Sequence, residues 1–306
     1  MKQFFLICFF SFAVQAHGNF FWNHIDFDVA MNTSKYQLEV WVTKEVFGIA
    51  GTVMLDFYRQ LYNTNSPINL CGISGELRIP KVIHQIWIGG PVPDVFTHYI
   101  QTWKDMHPDW EYKLWTDENI HTVNLYNQKF YDETDSPGVK SDLLKWELVY
   151  QFGGVYVDMD FECLRSLDIF HHTYDFYTGL QPLDTQFLQL GAALFGAIPG
   201  HPILKHCIET IKDDWHFHGA PTKSGPVHFT KSFYKTAGKG GFIDIALPAL
   251  YFYPLGCREK ELTYQKWVDT GAFAVHHWAK SWMPPKYRLK KFRNLGNDIL
   301  TESWND

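Results

Sequence analysis

Gln151-Phe152-Gly153-Gly154-Val155-Tyr156-Val157-Asp158-Met159-Asp160 reads as a helix stop, a short buried strand and two carboxylates one residue apart. Glycine tolerates the left-handed cap that ends a helix, and Val-Tyr-Val has strand composition. Strand side chains alternate faces, so Asp158 and Asp160 at i and i+2 are expected to point the same way. At the carboxyl end of a strand in an α/β sheet they face the crevice where ligands bind. Hard oxygen ligands suit Mg²⁺ or Mn²⁺, which use one or two protein carboxylates and leave room for phosphate oxygens. Alone, the pair also reads as a solvated turn, so its surroundings decide.

Upstream, Ser136-Pro137 is a helix cap followed by proline at the first helical position, and the helix runs through Val139 to Phe152. Asp142 and Lys145 lie three apart on it and share a face. On a helix that leads into the metal strand, that face borders the same crevice. A carboxylate there can bind sugar hydroxyls and a cation can meet phosphate; the plain alternative is an exposed ion pair of little worth. Further upstream, Ile79 to Ile88 is an apolar run closed by Gly89-Gly90 and reads as a buried strand. Phe96–Met106 reads as a helix, Tyr112–Trp115 as a strand and Asp117–Tyr126 as a second helix. This alternation predicts an α/β fold with a mostly parallel sheet flanked by helices.

The chain has 306 residues, 46% hydrophobic, with a net charge of −6. It can bury a full core, and no whole-chain field favours polyanions such as nucleic acid. Met1-Lys2-Gln3, the apolar run Phe4–Val14 and Val14-Gln15-Ala16 form a signal-peptide pattern over residues 1–16. Cys71, Cys163, Cys207 and Cys257 remain after cleavage, which permits two disulfides without requiring them. Asn32-Thr33-Ser34 is a glycosylation sequon. Apolar residues at helical spacing from Val46 to Leu61 predict a mainly helical N-terminal extension over 17–78, ahead of a main domain at 79–283. Lys280 to Arg293 holds six basic residues and no acid, and 284–306 reads as a basic tail, either solvated or leaning on an anionic membrane face.

Ile83-His84-Gln85-Ile86-Trp87-Ile88-Gly89, Lys140 to Lys145, Gly153 to Asp160, Ile198-Pro199-Gly200-His201-Pro202, Ser224-Gly225-Pro226 and Val275-His276-His277-Trp278 with Ser281-Trp282 follow one another in order. Together they resemble the signature blocks of glycosyltransferase family 32. That family includes yeast-type initiating mannosyltransferases and α-galactosyltransferases, and is similar at these blocks to the glucosylating domains of clostridial toxins. The resemblance covers about residues 79 to 283. It implies a GT-A type nucleotide-sugar-binding fold and a metal-dependent, retaining hexosyltransferase acting on a glycan, lipid or protein hydroxyl. In this reading Trp87 stacks on the base, and Asp142 and Lys145 are the catalytic and donor-binding pair. Asp158, Asp160 and His276 bind Mn²⁺ or Mg²⁺, with Asp158 also on the ribose, and Lys280, Ser281 and Trp282 touch the diphosphate. His276 is preferred over its neighbour His277. Two departures stand out: Lys145 replaces the family's usual Arg and its bidentate fork, and the segment Leu190–Phe195 lacks an Asn often found there.

Two other functions remain open to the residues alone. A metal-dependent phosphohydrolase also uses paired Asp at a strand end, although familiar ones carry Thr or Val where Glu162 stands. A secreted carbohydrate-binding protein with a vestigial site is the third; it has no reason to require Mn²⁺ for nucleotide binding. An exported transferase needs nucleotide sugar where it arrives, which points to a eukaryotic secretory lumen or delivery into a host compartment.

Overall fold

The computed structural model describes residues 24–35, 43–66, 76–185, 187–259, 262–281, 283 and 286. The leader at 1–16, Cys71, Trp282 and most of the basic tail lie outside the described residues. Among those described, no helix is long and apolar enough to cross a membrane.

Among the described residues, α1 (Phe27–Met31), α2 (Thr43–Phe47) and α3 (Gly51–Asn65) precede the sheet. The order continues β1 (Val82–Trp87), α4 (Thr97–Met106), β2 (Glu111–Thr116), α5 (Gln128–Glu133), α6 (Pro137–Phe152), β3 (Gly154–Val157) and β4 (Phe161–Cys163). After these come α7 (Asp168–Thr173), β5 (Phe176–Leu180), β6 (Leu190–Ala197), α8 (Pro202–Asp214), α9 (Ala220–Lys223), α10 (Pro226–Thr236), β7 (Asp244–Leu247), α11 (Tyr264–Asp269) and β8 (Ala274–His276). Six strands form one sheet in the order β2-β1-β3-β6-β5-β7, and β4 pairs with β8 in a separate two-stranded sheet. The pairs β1–β2, β1–β3 and β5–β7 are parallel, whereas β6 runs antiparallel to both neighbours. The α/β architecture with a mostly parallel sheet is the one expected, with β6 the exception. From β1 the chain places β2 on one side and β3 on the other, so the carboxyl ends of β1 and β3 border a topological switch point.

The glycines before β3 are demanded by contact. Gly153 has φ +67° and donates its N–H to Val149, closing α6; a Cβ on it would sit 2.7 Å from Pro199 and 2.8 Å from Pro80. Gly154 has φ +96°, and its Cβ would lie 2.5 Å from the Val82 carbonyl. His84 reinforces the junction: it accepts from Trp115 Nε1 at 3.0 Å through Nδ1, so Nε2 carries the proton and donates to the Gly153 carbonyl at 2.9 Å. Burial lowers its pKa to about 4 and keeps the ring neutral.

Two expectations about elements are corrected. Asp117–Tyr126 is no α-helix; only the 3₁₀ turn Ile120–Thr122 forms. Its polar side chains are spent locally: Asn119 bonds Thr116 N–H and the Leu114 carbonyl, and Asp117 takes the Gly89 and Gly90 N–H groups. The helix starting at Val46 is two helices broken at Gly48, φ +69°. α3 buries Met54, Leu55, Tyr58, Leu61 and Tyr62 in the main core. Its end is tied to β7 by Asn65 donating to the Asp244 carbonyl at 2.8 Å, and Tyr62 meets Tyr251 hydroxyl to hydroxyl at 2.8 Å. The apolar face read from the periodicity thus covers the β7 edge of the sheet.

Candidate metal and donor site

β3 stops at Val157, so Asp158 and Asp160 are not strand residues as expected. A turn closed by Phe161 N–H on the Asp158 carbonyl at 3.2 Å carries them, and Met159 between them is buried in one cluster with Trp87, Phe96, Tyr99 and Ala279. Strand alternation does hold one step earlier. Tyr156, two residues before Asp158, donates its hydroxyl to Asp158 Oδ1 at 2.5 Å. The Asp158 backbone N–H goes to the Ala193 carbonyl at 2.8 Å, and Gln85 Nε2 donates to the Asp158 carbonyl at 3.3 Å.

Asp160 is fixed from the other side. β4 and β8 pair with Phe161 opposite His276, which brings His276 Nε2 to 3.2 Å from Asp160 Oδ1. Ala279 N–H donates to Asp160 Oδ2 at 2.6 Å, and His277 N–H to the Asp160 carbonyl at 3.0 Å. Trp278 and Lys280, on either side of Ala279, have φ of 51° and 52°. Such backbone is uncommon for non-glycine residues, and strain of this kind gathers at ligand sites. His277 points elsewhere: its Nε2 meets Glu162 at 3.0 Å and its ring stacks on Tyr99 at 4.7 Å.

The carboxylates differ in environment. Burial pushes Asp158 up to about 6, against the pull of the Lys145 ammonium. Asp160 is buried too, but His276 and the Ala279 N–H outweigh that and hold it below the ordinary carboxylate range. One ligand atom each from Asp158, Asp160 and His276 lies within 4.8 Å of the other two. Two carboxylates and one imidazole on so small a span could hold a single divalent metal ion. The His276 ring is held by stacking on Phe161 at 4.8 Å and by Trp278 at 4.4 Å, while its Nδ1 finds no partner among the described residues.

The α6 pair is buried, not a surface ion pair. Lys145 Nζ lies 2.5 Å from Asp142 Oδ1, and Ser224 donates its hydroxyl to Asp142 Oδ2 at 2.8 Å. Lys145 also lies over the Tyr156 ring at 5.2 Å, which places the cation beside the residue that holds Asp158. The Ser224-Gly225 loop is anchored by Trp146 Nε1 donating to the Ser224 carbonyl at 3.0 Å. Trp87 ends β1 with its indole 7% exposed, packed on Phe96 at 5.2 Å, with no acceptor for Nε1–H among the described residues. Lys280 and Ser281 follow Ala279 and are half-buried.

The structure therefore gathers Asp158, Asp160 and His276 directly and sets Asp142 and Lys145 beside them. Trp87, Lys280 and Ser281 border the same turn. Sequence reasoning missed Tyr156, the Ala279 N–H and the Ala193 carbonyl, and assigned no partner to Asp142. Only Tyr156 had a legible signal, its i−2 spacing from Asp158. His201 of the Pro-Gly-His-Pro block is distant from this chemistry: it caps α8 through Ile203 N–H and faces buried Asp244 at 3.0 Å.

Residues 93–177 match the family model described as a glycosyltransferase sugar-binding region containing a DXD motif. The chain is 29% identical over 173 residues to inositol phosphoceramide mannosyltransferase 2 of Schizosaccharomyces pombe, covering 52% of this chain and 49% of that protein. It is 28% identical over 138 residues to mannosyl phosphorylinositol ceramide synthase CSH1 of Saccharomyces cerevisiae, covering 44% and 35%. The chain thus spans about half, or less, of the length of these curated relatives. Among solved structures it is similar to PaToxG glycosyltransferase, at 14% identity and a TM-score of 0.47 over 61% of this chain and 78% of that one. The matched segment contains Asp142, Lys145, Asp158 and Asp160, so the likeness to a DXD-containing glycosyltransferase sugar-binding region falls on four of the candidate site residues.

Proposed function

We propose that this chain is a metal-dependent hexosyltransferase that moves a sugar, with retention, from a nucleoside diphosphate to an acceptor hydroxyl. The observation that carries the reading is the meeting of Asp158, Asp160 and His276 with the buried Asp142–Lys145–Ser224 group at the carboxyl ends of β1 and β3. A divalent ion held by the first three supplies Lewis-acid neutralisation of charge on the departing diphosphate. The chain's own residues do the rest. Lys145 and Lys280 set positive charge where the leaving group develops negative charge. By the family resemblance, Trp87 is assigned to stacking on the base, and Ser281 and Trp282 to the diphosphate. Asp142, oriented by Ser224, receives donor hydroxyls and stabilises an oxocarbenium-like state. Both of its oxygens already have partners, so it serves as a poor nucleophile, and attack by the acceptor from the leaving-group face accounts for retention.

The names of the two yeast relatives make mannosyl donors and inositol-lipid head groups the first substrates to try. The leader read at residues 1–16 makes export part of the same proposal. The test is a panel of UDP- and GDP-sugars with Mn²⁺, following nucleotide release and the anomeric configuration of the product by NMR. Donor turnover with a retained product supports the reading; an inverted product overturns the mechanism. Acceptor-independent cleavage of phosphomonoesters overturns the transferase assignment in favour of a phosphohydrolase.

A further inference from the structure

We propose that Tyr253 is a positioning residue that sets the spacing of the three metal ligands, an inference that rests on the metal-dependent reading above. The ligands come from two separate sheets: Asp158 follows β3 of the large sheet, whereas Asp160 and His276 are set by the β4–β8 pair. Something must hold one sheet against the other.

β6 is irregular beside the site. Between Leu190 and Phe195 it has four residues where β5 has one between Thr178 and Leu180, so residues 191–194 bulge. Bulges re-aim backbone groups next to binding sites, and this one presents the Ala193 carbonyl to the Asp158 N–H at 2.8 Å. Thr178 closes it by donating towards the Leu194 and Gly191 carbonyls at 3.1 and 3.3 Å. The Tyr253 ring fills the space the bulge opens. A Cβ on Gly191 would lie 1.9 Å from its hydroxyl oxygen and 2.1 Å from Cζ, and one on Gly179 3.0 Å from Cε2. Glycine is required at 191 because the ring occupies the place of a side chain.

The same ring reaches the other sheet. It packs edge-on to Phe161 at 5.3 Å, edge-on to His276 at 5.7 Å and against Trp278 at 6.2 Å. One buried side chain therefore touches the bulge that holds Asp158 and the strands that hold Asp160 and His276. Supporting residues of this kind change metal affinity by about 10- to 100-fold when removed.

The experiment is Mn²⁺ binding by EPR of the free ion, with the full chain and its variants, alongside near- and far-UV circular dichroism. Tyr253→Phe keeps the ring and binds Mn²⁺ as the parent does. Tyr253→Leu and Gly191→Ala each retain the parent far-UV spectrum and cooperative unfolding, and bind about tenfold more weakly or worse. The double variant Gly191→Ala/Tyr253→Leu binds no more weakly than Tyr253→Leu, because the new methyl then meets no ring. A folded Tyr253→Leu with parent affinity overturns the proposal. Should Tyr253→Leu not fold, Tyr253→Met is read in the same way, and unfolding of both assigns the ring to the core alone and also overturns it. A parent chain that takes up no Mn²⁺ overturns the metal-dependent reading itself, and this inference with it.

Discussion

Replacing Gly154 with alanine tests the junction on which the site is built. Two costs act together. At φ +96° an L-residue is strained by about 1–2 kcal/mol. The added methyl also meets the Val82 carbonyl at 2.5 Å, Val82 Cβ at 3.1 Å and His84 Nε2 at 3.2 Å, two of them on the neighbouring strand's own frame. Overpacking against groups that cannot swing aside adds about 1–3 kcal/mol. The sum is about 2–5 kcal/mol, which for a domain of this size lowers Tm by roughly 2–4 °C per kcal/mol. Gly200→Ala is the control: its φ is +72°, but nothing lies within 4 Å of the new Cβ, so only the strain applies. Urea midpoints and thermal scans on both variants separate the terms. Gly154→Ala should lose at least twice what Gly200→Ala loses; equal losses, or a neutral Gly154→Ala, would refute the close-approach argument.

Burial lowers His84 and His107 to about 4, so both stay neutral in the fold while the unfolded chain protonates them near 6.5. The stability they protect is complete above about pH 6.5 and is lost as pH falls toward 4, by up to about 3 kcal/mol each; urea midpoints that stay flat over that window contradict this. Cys163 and Cys207 are buried free thiols, and burial pushes Cys207 up to about 12 and Cys163 higher still. An aryl disulfide reagent should label half-exposed Cys257 in the native protein and reach the other two only after unfolding, so early labelling of either would be a contrary result. Ser224→Ala removes a hydrogen bond to a charged group worth about 1.5–3 kcal/mol, and should lower kcat/KM for the donor roughly 10- to 100-fold at unchanged Mn²⁺ affinity. Wild-type kinetics there would mean that Asp142 needs no holding.

The large strokes of the fold were legible because they depend on local rules. Ser136 and Pro137 announce α6, Gly153 ends it, and apolar runs place β1 and β3. The turn carrying Asp158 and Asp160 was misread as strand, since Met159 is buried by Trp87 and Ala279, contacts no period-two pattern records. The Asp117–Tyr126 segment has helical apolar spacing, yet Asp117 and Asn119 spend their side chains on neighbouring backbone. The antiparallel direction of β6 leaves no local trace, and no local signal foretells the ring of Tyr253, some sixty residues later, seated on Gly191. The candidate site was readable as residue types and order. What remained hidden were the groups that orient it: the Ala279 N–H, the Ala193 carbonyl and Ser224 act through distances set by folding.

Asp158, Asp160 and His276 are proposed to form a metal site that drives transfer from a nucleotide sugar. Its most direct test is Mn²⁺-dependent nucleotide release from UDP- and GDP-sugars by the parent chain and by Asp160→Ala, both checked for fold by circular dichroism. The parent should turn over at least one donor only with metal, and Asp160→Ala should fall by about a hundredfold or more. A folded Asp160→Ala with the parent's rate would contradict the account.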